Sequence, residues 1–301
     1  MDSVVNTVLR GELLLSHPLQ RYTAWRVGGP AQQLYLPADK QDLSQYLSSL
    51  PSAEKTTWLG LGSNTLIRDG GIQGHVIVTQ GNLKNIERVD ETVVYAEAGV
   101  SCATLARYCA RLGLTGIEFL AGIPGTVGGA LAMNAGCFGG ETWEHVKQVE
   151  SIDSRGEFHR RSPCEYHVAY RSVKCVEKEH ETEFFTAGYF QLKAGSKEQS
   201  LEKIRQLLEH RAKTQPTNEF SCGSTFRNPP GDYAGRLIEA VGLKGMRIGG
   251  AIISEKHANF IINDGTARAT DIEALIEHIV SAVFAKSGIQ LVREVHILGE
   301  M

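Results

Sequence analysis

The chain has 301 residues, of which 42% are hydrophobic and 22% are charged, and these values are ordinary for a soluble globular protein of about two domains. Its formal net charge of −3 argues against bulk electrostatic attraction to nucleic acid or acidic lipid. The six cysteines include no CxxC pair, which favours free, buried thiols over a disulfide framework or a zinc site.

The first elements predict a cytosolic protein in which helices and strands alternate. The opening segment MDSVVNTVLRGELLLSHPLQ lacks the basic start and continuous apolar core of a signal peptide. Asp39 begins a short amphipathic helix, KQDLSQYLSSL, and an apolar strand is predicted at 57–61. Further strands are predicted at 75–79 and 92–97, followed by a helix that starts at Ser101 and stops at the next glycine.

The segment AGIPGTVGGALAMNAGCFGG, residues 121–140, contains seven glycines and, together with Phe119 and Leu120, no charge. Its length would suit a transmembrane span, but its glycines and Pro124 would break a helix and bury little apolar surface. Two interpretations stay open on the residues alone. Backbones could cross closely here for structural reasons, or consecutive N–H groups could hold a pyrophosphate. The short phosphate-binding signatures GxGxxG and GxxxxGK[ST] do not occur.

A hairpin and a polar boundary follow the glycine-rich segment. The stretch VESIDSRGEFHR predicts two strands joined by a turn at 154–156, and FFTAGYFQL predicts another strand. The polar stretch AGSKEQS is the predicted domain boundary. Helices are then predicted at 201–213 and 271–287, the second with Thr270 and Glu273 as a capping box and Gly288 as its stop.

The last third also contains a polar loop and a final predicted strand. The glycines and prolines of the loop SCGSTFRNPPG would ordinarily indicate a structural turn, with Ser224 as a cap or turn residue. However, Arg227 and Asn228 suit a phosphorylated or carboxylated ligand. No histidine stands near enough in sequence to suggest a hydrolase triad, so proton donation suits Ser224 better than nucleophilic attack. The strand IQLVREVHILG places Arg293 and Glu294 among aliphatic neighbours. They could be exposed charges at the edge of a sheet, or Glu294 could be a reactive acid whose pKa is shifted by its apolar neighbours.

Seven motifs together resemble one family. They are YTAWRVGGPA (22–31), LGLGSNTLIRDGG (59–71), AGIPGTVGGALAMNAG (121–136), YR (170–171), CGSTFRNP (222–229), HANFIIN (257–263) and REV (293–295). In this order and spacing the chain resembles the UDP-N-acetylenolpyruvoylglucosamine reductase (MurB) family of peptidoglycan synthesis, from about residue 20 to the end.

The resemblance implies an α+β fold. Residues 1–195 would form an N-terminal FAD-binding region of the PCMH, or vanillyl-alcohol-oxidase, type, with subdomains at about 1–80 and 81–195. Residues 196–301 would form a C-terminal α+β substrate-binding domain. The segment after FQLK lacks the insertion that carries a substrate-covering tyrosine in enterobacterial members, so the chain resembles the shorter type II form.

The resemblance also implies the chemistry of a UDP-N-acetylmuramate dehydrogenase. NADPH would reduce non-covalent FAD and be replaced in the same cleft by UDP-N-acetylglucosamine enolpyruvate. Flavin N5 would give a hydride to C3 of the enolpyruvyl group, Arg171 and Glu294 would stabilise the enolate, and Ser224 would protonate C2. The enzyme would be a cytoplasmic monomer without a metal, serving cell-wall synthesis and hence cell shape and division.

The resemblance assigns two further sets of residues. Those expected at the flavin are Gly62, Ser63, Asn64, Gly122, Ile123, Pro124, Gly125, Thr126, Gly128, Gly129, Asn134, Ala135 and Gly136. Those expected at the substrate are Tyr170, Lys213, Gly223, Asn228, His257 and Asn259. Two rival functions fit the residues less well. A PCMH-type oxidase of sugars or alcohols would usually tether its FAD and would not carry CGSTFRNP and REV, and a binding protein without turnover would not need all three catalytic positions.

Overall fold

The computed structural model describes residues 9–51, 54–176 and 183–301. The chain divides into two compact units. The first unit comprises the chain up to Leu15, Gln33–Gly60 and Gly74–Leu207, and the second comprises Ser16–Gln32, Leu61–Gln73 and Leu208–Met301. The C-terminal segment of the second unit begins at Leu208, whereas the predicted domain boundary is at residue 196. The second unit also takes two segments from the N-terminal third, which the polar boundary in the sequence did not indicate.

The described residues contain twenty strands and six α-helices. The strands are β1 (Glu12–Pro18), β2 (Pro30–Leu36), β3 (Thr56–Leu59), β4 (Thr65–Ile67), β5 (Ile72–Val78), β6 (Ile86–Asp90), β7 (Val93–Glu97), β8 (Leu114–Thr115), β9 (Gly136–Cys137), β10 (Gly140–Glu141), β11 (Val146–Asp153), β12 (Phe158–Arg161), β13 (Tyr166–Ala169), β14 (Ser172–Cys175), β15 (Glu183–Gln191), β16 (Lys193–Ala194), β17 (Arg247–Ile248), β18 (Ala251–Ile253), β19 (Ile261–Asn263) and β20 (His296–Leu298). The helices are α1 (Lys40–Ser49), α2 (Cys102–Arg111), α3 (Val127–Ala132), α4 (Lys197–Thr214), α5 (Ala234–Ala240) and α6 (Ala269–Ser287).

Two larger sheets organise the N-terminal two thirds of the chain. One has four strands in the order β1-β2-β5-β3, with β3 and β5 parallel. The other has five antiparallel strands in the order β12-β11-β15-β7-β6. The predicted hairpin is the β11–β12 pair, so that prediction is confirmed. Strand β6 was not predicted because its sequence, IERVD, has little apolar content and lies largely exposed at the sheet edge.

The predicted helices of the first unit are confirmed with their caps. The Asp39 carboxylate accepts a hydrogen bond from the Asp42 N–H at the start of α1, and Ser101 does the same for Thr104 at the start of α2. The buried side of α1 presents Leu43 and Leu47, which pack with tyrosine and aliphatic side chains of the neighbouring strands. These helices therefore form where an amphipathic pattern follows a strong N-cap.

The second unit surrounds helix α6 with short strands. A three-stranded antiparallel sheet, β17-β18-β19, and a parallel pair, β4 with β20, supply the strands. The core includes Trp25, Leu66, Phe226 and the buried side of α6, and the Trp25 indole N–H donates to the Ile261 carbonyl at 2.7 Å. Because β4 contributes to this core, the segment 61–73 joins the C-terminal residues in one compact body.

The start of α6 differs from the prediction, whereas its end agrees. The helix begins at Ala269, where the Asp271 carboxylate accepts from the Arg268 N–H at 2.9 Å. The predicted capping role of Glu273 is wrong because its carboxylate instead pairs with the Arg68 guanidinium at 2.6 Å. Gly288 ends the helix at φ 69°, a left-handed conformation that favours glycine.

The predicted final strand, 289–299, is mostly irregular. Only β20 has regular pairing, and Arg293 makes an isolated bridge to Phe226. The reason is that the Glu294 N–H donates to the Thr225 carbonyl, and the Arg227 N–H donates to the Val292 carbonyl. This segment is therefore tied to the polar loop 221–231 rather than to one continuous sheet partner.

All six cysteines are free thiols, as predicted, although burial is confirmed for only half of them. Cys102, Cys109 and Cys222 are buried, and burial raises the pKa of each of these thiols to about 12. Cys137 and Cys175 are half-buried, and Cys164 is exposed. No helix among the described residues is long and apolar enough to cross a bilayer.

Candidate active site

The loop 221–231 of the second unit is held by hydrogen bonds on both of its sides. The Thr225 N–H donates to the Asn259 carbonyl at 2.8 Å, and the Thr225 carbonyl accepts from the Glu294 N–H at 2.9 Å. Thr225 is buried, whereas Ser224 is half-buried. Within the described chain, the Ser224 hydroxyl has no hydrogen-bond partner. Its proton is therefore not committed to a group of the fold.

Asn64 joins the LGLGSN turn to the segment that carries Glu294. The Asn64 amide nitrogen donates to the Glu294 carbonyl at 3.2 Å, and the Asn64 carbonyl accepts from the His296 N–H at 3.0 Å. Glu294 itself is half-buried. Three segments far apart in sequence, those of Asn64, Ser224 and Glu294, thus form one hydrogen-bonded arrangement inside the second unit.

The turn at Gly62 requires glycine for a close approach of backbones. Gly62 has φ 62°, and a Cβ added to it would lie 2.0 Å from the Tyr22 carbonyl oxygen. Its carbonyl accepts from the Ala24 N–H at 3.0 Å, and the buried Cys222 thiol lies 3.6 Å from the same oxygen. The neighbouring Ser63 is half-buried and stays a predicted flavin contact.

The HANF motif places His257 and Asn259 beside the same loop. Asn259 is buried, and its amide bonds to the backbone of Phe226 rather than pointing to solvent. These contacts engage the amide within the loop and favour a structural role over the predicted contact with substrate. His257 is half-buried, its ring nitrogen Nδ1 accepts from the Asn259 N–H at 3.3 Å, and burial lowers its pKa. A neutral imidazole is thus favoured at this position.

Three other predicted substrate residues lie on the surface of the second unit. Lys213 is exposed near the end of α4, and Asn228 is exposed with its side-chain oxygen accepting from the Ala234 N–H at 3.0 Å. Asn228 therefore also caps α5, and its amide N–H₂ group is the part that suits a ligand. Gly223 has φ 73°, and a Cβ added to it would meet no atom within 4 Å, so its conformation, rather than crowding, favours glycine.

Arg171 of the first unit lies in the two-residue turn of a β-hairpin. Ala169 pairs with Ser172 across β13 and β14, which leaves Tyr170 and Arg171 as the turn. Arg171 has φ 54°, an uncommon conformation for a residue with a side chain. Its guanidinium donates to the Gly136 carbonyl at 3.1 Å and lies 5.1 Å from the centre of the exposed Tyr170 ring. The structure therefore brings Arg171 to the end of the glycine-rich segment.

Asn134 occupies a second left-handed turn near this point. It is buried with φ 40°, its side-chain oxygen accepts from the Trp143 N–H at 3.1 Å, and its amide nitrogen donates to Glu141 at 2.8 Å. Ala135 follows, and its carbonyl accepts from both the N–H and the hydroxyl of Thr142. The predicted flavin residues 134–136 thus form a rigid corner beside the Arg171 guanidinium.

Several glycines of the segment 121–140 are explained by internal packing. A Cβ on Gly128 would lie 2.8 Å from the Ala98 Cβ, and one on Gly140 would lie 2.6 Å from the Phe119 ring. A Cβ on Gly136 would lie 2.6 Å from the Gly140 carbonyl. In contrast, Gly129 is exposed, and a Cβ there would meet only the Thr126 hydroxyl at 3.7 Å. The structural interpretation of the run is therefore correct for these three packed glycines and does not account for Gly129.

The backbone N–H groups of this loop are largely used inside the first unit. Those of Ile123, Gly125, Val127 and Gly128 donate to carbonyls, and the Gly129 N–H reaches the Thr126 hydroxyl at 3.4 Å. Val127 and Gly128 donate to residues 98–100, and Ile123 and Gly125 donate within residues 120–125, so these four amides are bonded inside the first unit, and the pyrophosphate contact of the loop stays a prediction. The surface of the loop is still compatible with a flavin diphosphate. Pro124 and Gly129 are exposed, and residues 121–140 include no carboxylate that would repel a phosphate.

The two units thus contain separate sets of candidate groups. The second unit brings together the segments of Ser224, Glu294 and Asn64, and the first brings Arg171 to Gly136. A hydroxyl with an uncommitted proton, a carboxylate and a guanidinium are the groups needed to protonate and stabilise an enolate. No sequence pattern indicated that Thr225 and Phe226 are the points at which the loop is fixed, because those contacts are made by backbone groups.

Comparisons with known proteins agree over the whole chain. Residues 31–162 match the FAD binding domain, and residues 215–298 match the UDP-N-acetylenolpyruvoylglucosamine reductase C-terminal domain. The chain is 57% identical to a UDP-N-acetylenolpyruvoylglucosamine reductase of Legionella pneumophila (strain Corby), over 100% of this chain and 96% of that protein. It is 52% identical to one of Coxiella burnetii (strain Dugway 5J108-111), over 99% of each. The crystal structure of the Thermus caldophilus enzyme (MurB) has a TM-score of 0.80 at 35% identity, over 96% of this chain and 99% of that one.

Proposed function

Because the chain belongs to the UDP-N-acetylenolpyruvoylglucosamine reductase family of oxidoreductases and contains an FAD-binding domain, we propose that it reduces UDP-N-acetylglucosamine enolpyruvate with electrons from NADPH. The product is UDP-N-acetylmuramate, and the role of the reaction is peptidoglycan synthesis. The observation that supports the proposal is that hydrogen bonds join the segments of Ser224, Glu294 and Asn64, through Thr225 beside Ser224, and so unite three of the motifs that define the resemblance.

The flavin suits the residues of the glycine-rich turns. Gly62, Ser63 and Asn64, the exposed atoms of the loop 122–129 and the corner at 134–136 are the groups that would hold FAD. Bound FAD would supply hydride transfer between NADPH and the enolpyruvyl double bond. The chain itself must then provide the groups that stabilise the enolate and protonate C2.

In this proposal, Arg171 stabilises the negative charge that develops on the substrate. Hydride addition at C3 places an electron pair on C2 and its carboxylate, and a guanidinium stabilises such a charge through directed N–H donors. The Arg171 side chain already donates to the Gly136 carbonyl, so its head is oriented before substrate binds. In this proposal Glu294 is the acidic partner in the stabilisation of the enolate.

Ser224 completes the reduction by giving its hydroxyl proton to C2. A serine hydroxyl is a weak acid, so the transfer requires a strongly basic enolate and an aligned contact that excludes water. The hydride and this proton together saturate the double bond, and the serine oxygen regains a proton from solvent. Tyr170, Lys213, Gly223, Asn228 and His257 are the proposed substrate contacts.

The test follows the flavin absorbance band of the full-length, FAD-loaded protein by stopped flow without oxygen. NADPH should bleach the band, and enolpyruvate substrate should restore it. In Ser224→Ala, bleaching should persist while recovery slows by roughly 10²- to 10⁴-fold, which is the usual range for a lost general acid. Ser221→Ala, in the same loop, is the matched control and should recover like the wild type.

Four results would contradict the proposal. Recovery of Ser224→Ala at the wild-type rate would remove the assigned proton donor. Loss of bleaching in a folded, FAD-loaded Ser224→Ala variant would show that the two half-reactions do not depend on separate residues. A wild-type band that recovers only when oxygen is admitted would favour an oxidase, and a chain that takes up no FAD would reject the flavin assignment.

A further inference from the structure

Asn259 lies buried directly behind the loop that carries Ser224, and its side chain bonds only to that loop among the contacts of the described residues. We propose that Asn259 is a positioning residue that fixes the direction of the Ser224 hydroxyl. The inference rests on the proposed function of Ser224 as proton donor. It gives Asn259 a role other than the predicted contact with substrate.

The amide of Asn259 holds both polar backbone groups of Phe226. The Phe226 N–H donates to the Asn259 side-chain oxygen at 3.0 Å, and the Asn259 side-chain N–H₂ donates to the Phe226 carbonyl at 2.8 Å. The Asn259 main-chain carbonyl also accepts from the Thr225 N–H at 2.8 Å. One residue thus fixes three backbone groups in the two residues that follow Ser224.

The opposite side of the loop is fixed by the segment that carries Glu294. The Thr225 carbonyl accepts from the Glu294 N–H, and the Arg227 N–H donates to the Val292 carbonyl, both at 2.9 Å. Residues 225–227 therefore lie between Asn259 on one side and residues 292–294 on the other. A shift of Phe226 toward either side would move Ser224 and alter its distance to Glu294.

Burial makes this arrangement selective for an amide. Asn259 is 3% exposed, and Thr225 and Phe226 are at most 1% exposed, so a group left without its partner here cannot turn to water. The site needs an acceptor for the Phe226 N–H and a donor for its carbonyl. Asparagine supplies both, whereas an ionised aspartate would face the carbonyl with a second acceptor oxygen.

Asn263 provides a matched control on the same polypeptide stretch. It is also a buried asparagine, 4% exposed, whose amide bonds only to backbone groups in the contacts of the described chain. Its partners are Trp25, Gly265 and Ala267, none of which belongs to the Ser224 loop. Replacing Asn263 should therefore cost stability of a similar kind without redirecting Ser224.

The first experiment compares Asn259→Ala, Asn263→Ala and wild type in the two flavin half-reactions. In Asn259→Ala, flavin bleaching by NADPH should stay near the wild-type rate, while recovery on enolpyruvate substrate should slow on the order of 100-fold, as expected for a misplacement of about 1 Å. Residue-resolved amide hydrogen exchange should also be about 10-fold faster at Phe226 because one hydrogen bond is lost. Asn263→Ala should leave the ratio of the two half-reaction rates unchanged.

A second variant keeps the test valid if Asn259→Ala does not fold. Asn259→Asp is nearly isosteric, and its protonated carboxyl can accept from the Phe226 N–H and donate to the Phe226 carbonyl. The burial of this carboxyl should raise its pKa above the ordinary value of about 3.9. The recovery rate of Asn259→Asp relative to wild type should therefore increase as the pH is lowered.

The outcomes separate the two levels of inference. If Ser224→Ala recovers at the wild-type rate, the proposed role of Ser224 is wrong, whatever Asn259 does. If Ser224→Ala is slow but Asn259→Ala recovers normally, only the positioning role is overturned. An equal fall in both half-reactions of Asn259→Ala, or a pH-independent ratio for Asn259→Asp, would likewise reduce Asn259 to a residue of general stability.

Discussion

The two units hold their candidate residues by different chemistry. In the first unit, Arg171 and Asn134 occupy left-handed turns, and the entrance to the glycine-rich segment is fixed by the buried carboxylate of Glu118. In the second unit, the loop of Ser224 is fixed by the neutral amide of Asn259 and by backbone pairing to residues 292–294. The first arrangement uses conformational strain and charge, and the second uses neutral hydrogen bonds.

The difference corresponds to what each proposed role requires. A guanidinium attracts a developing negative charge over several ångströms. It can therefore act from the turn of a hairpin without exact placement. A proton donor acts only over a hydrogen-bond distance, so its backbone must be fixed from both sides. The comparison also predicts that changes in the first unit respond to pH and to backbone conformation, whereas changes around the Ser224 loop respond to the loss of single hydrogen bonds.

Within the first unit, the largest effect is expected at Arg171. Arg171→Ala should slow the recovery of reduced flavin on enolpyruvate substrate by roughly 10²- to 10³-fold, because one directed donor to a developing anion is typically worth that factor. Arg171→Lys should restore part of the rate, since it keeps the charge but loses the planar set of donors. Stopped-flow flavin absorbance gives both rates.

Arg155→Ala is the control for the loss of a positive charge in the same unit. Arg155 is an exposed arginine whose guanidinium bonds to Asp153 in the β11–β12 turn, away from the glycine-rich segment in sequence. Its replacement should leave recovery unchanged. Equal slowing in Arg155→Ala and Arg171→Ala would mean that overall charge, and not the placement of Arg171, determines the rate.

A smaller effect should distinguish the packed from the open glycines. Gly128→Ala forces a methyl group to within 2.8 Å of the Ala98 Cβ, so the free energy of unfolding should fall by about 1–3 kcal/mol. Gly129→Ala, its neighbour in α3, meets no such contact and should leave stability unchanged or raise it by about 0.5–1 kcal/mol. Urea unfolding of the apoprotein measures both changes.

The same pair of variants tests where the flavin approaches. Gly129→Ala should weaken FAD binding in a fluorescence titration although the protein is stably folded, because it fills an exposed position of the loop. Undiminished FAD affinity in Gly129→Ala would exclude that position as a contact. A stable Gly128→Ala protein would instead show that the Ala98 contact relaxes without cost.

The sequence predicted the elements that depend on local patterns. Helices α1 and α2, with the caps Asp39 and Ser101, and the β11–β12 hairpin follow from the apolar spacing and turn residues. Strand β6 and the irregular segment before β20 could not be predicted in this way. Strand β6 pairs with the adjacent β7 but has little apolar content, whereas the segment before β20 depends on partners distant in sequence. Period-2 alternation alone does not tell a strand from a buried irregular segment.

The candidate site shows the same limit at the level of single residues. The motifs did not indicate that the segments of Asn64 and Glu294 come together, because the contact between them is a bond from a side chain to a main-chain carbonyl. For Asn259, the motif indicated importance without indicating that the amide would bond to Phe226. Side-chain type reveals what a residue can donate or accept, whereas the partner is set by tertiary packing.

The last prediction concerns the carboxylate that anchors the first unit. Burial of Glu118 by itself raises the pKa, but hydrogen bonds from the Thr115 hydroxyl, the Ser200 hydroxyl and the Gly116 N–H outweigh it and lower the pKa from 4.5 to about 2. Because the folded pKa lies below the unfolded one, this stabilisation is present above about pH 4.5 and is lost as the pH falls toward about 2.

Glu118→Gln should therefore lower the free energy of unfolding at pH 7 by about 1–3 kcal/mol, since the glutamine amide cannot accept the same set of bonds. The deficit relative to wild type should shrink as the pH is lowered from 4.5 toward 2, and urea unfolding at several pH values measures it. Glu157→Gln, at an exposed position of the same unit, should show a small deficit at every pH. Asn259→Ala should show a deficit that does not shrink over this range, because no charge is lost from the Ser224 loop. If instead the Glu118→Gln and Asn259→Ala deficits changed with pH in parallel, the distinction between a charged anchor in the first unit and a neutral one in the second would be wrong.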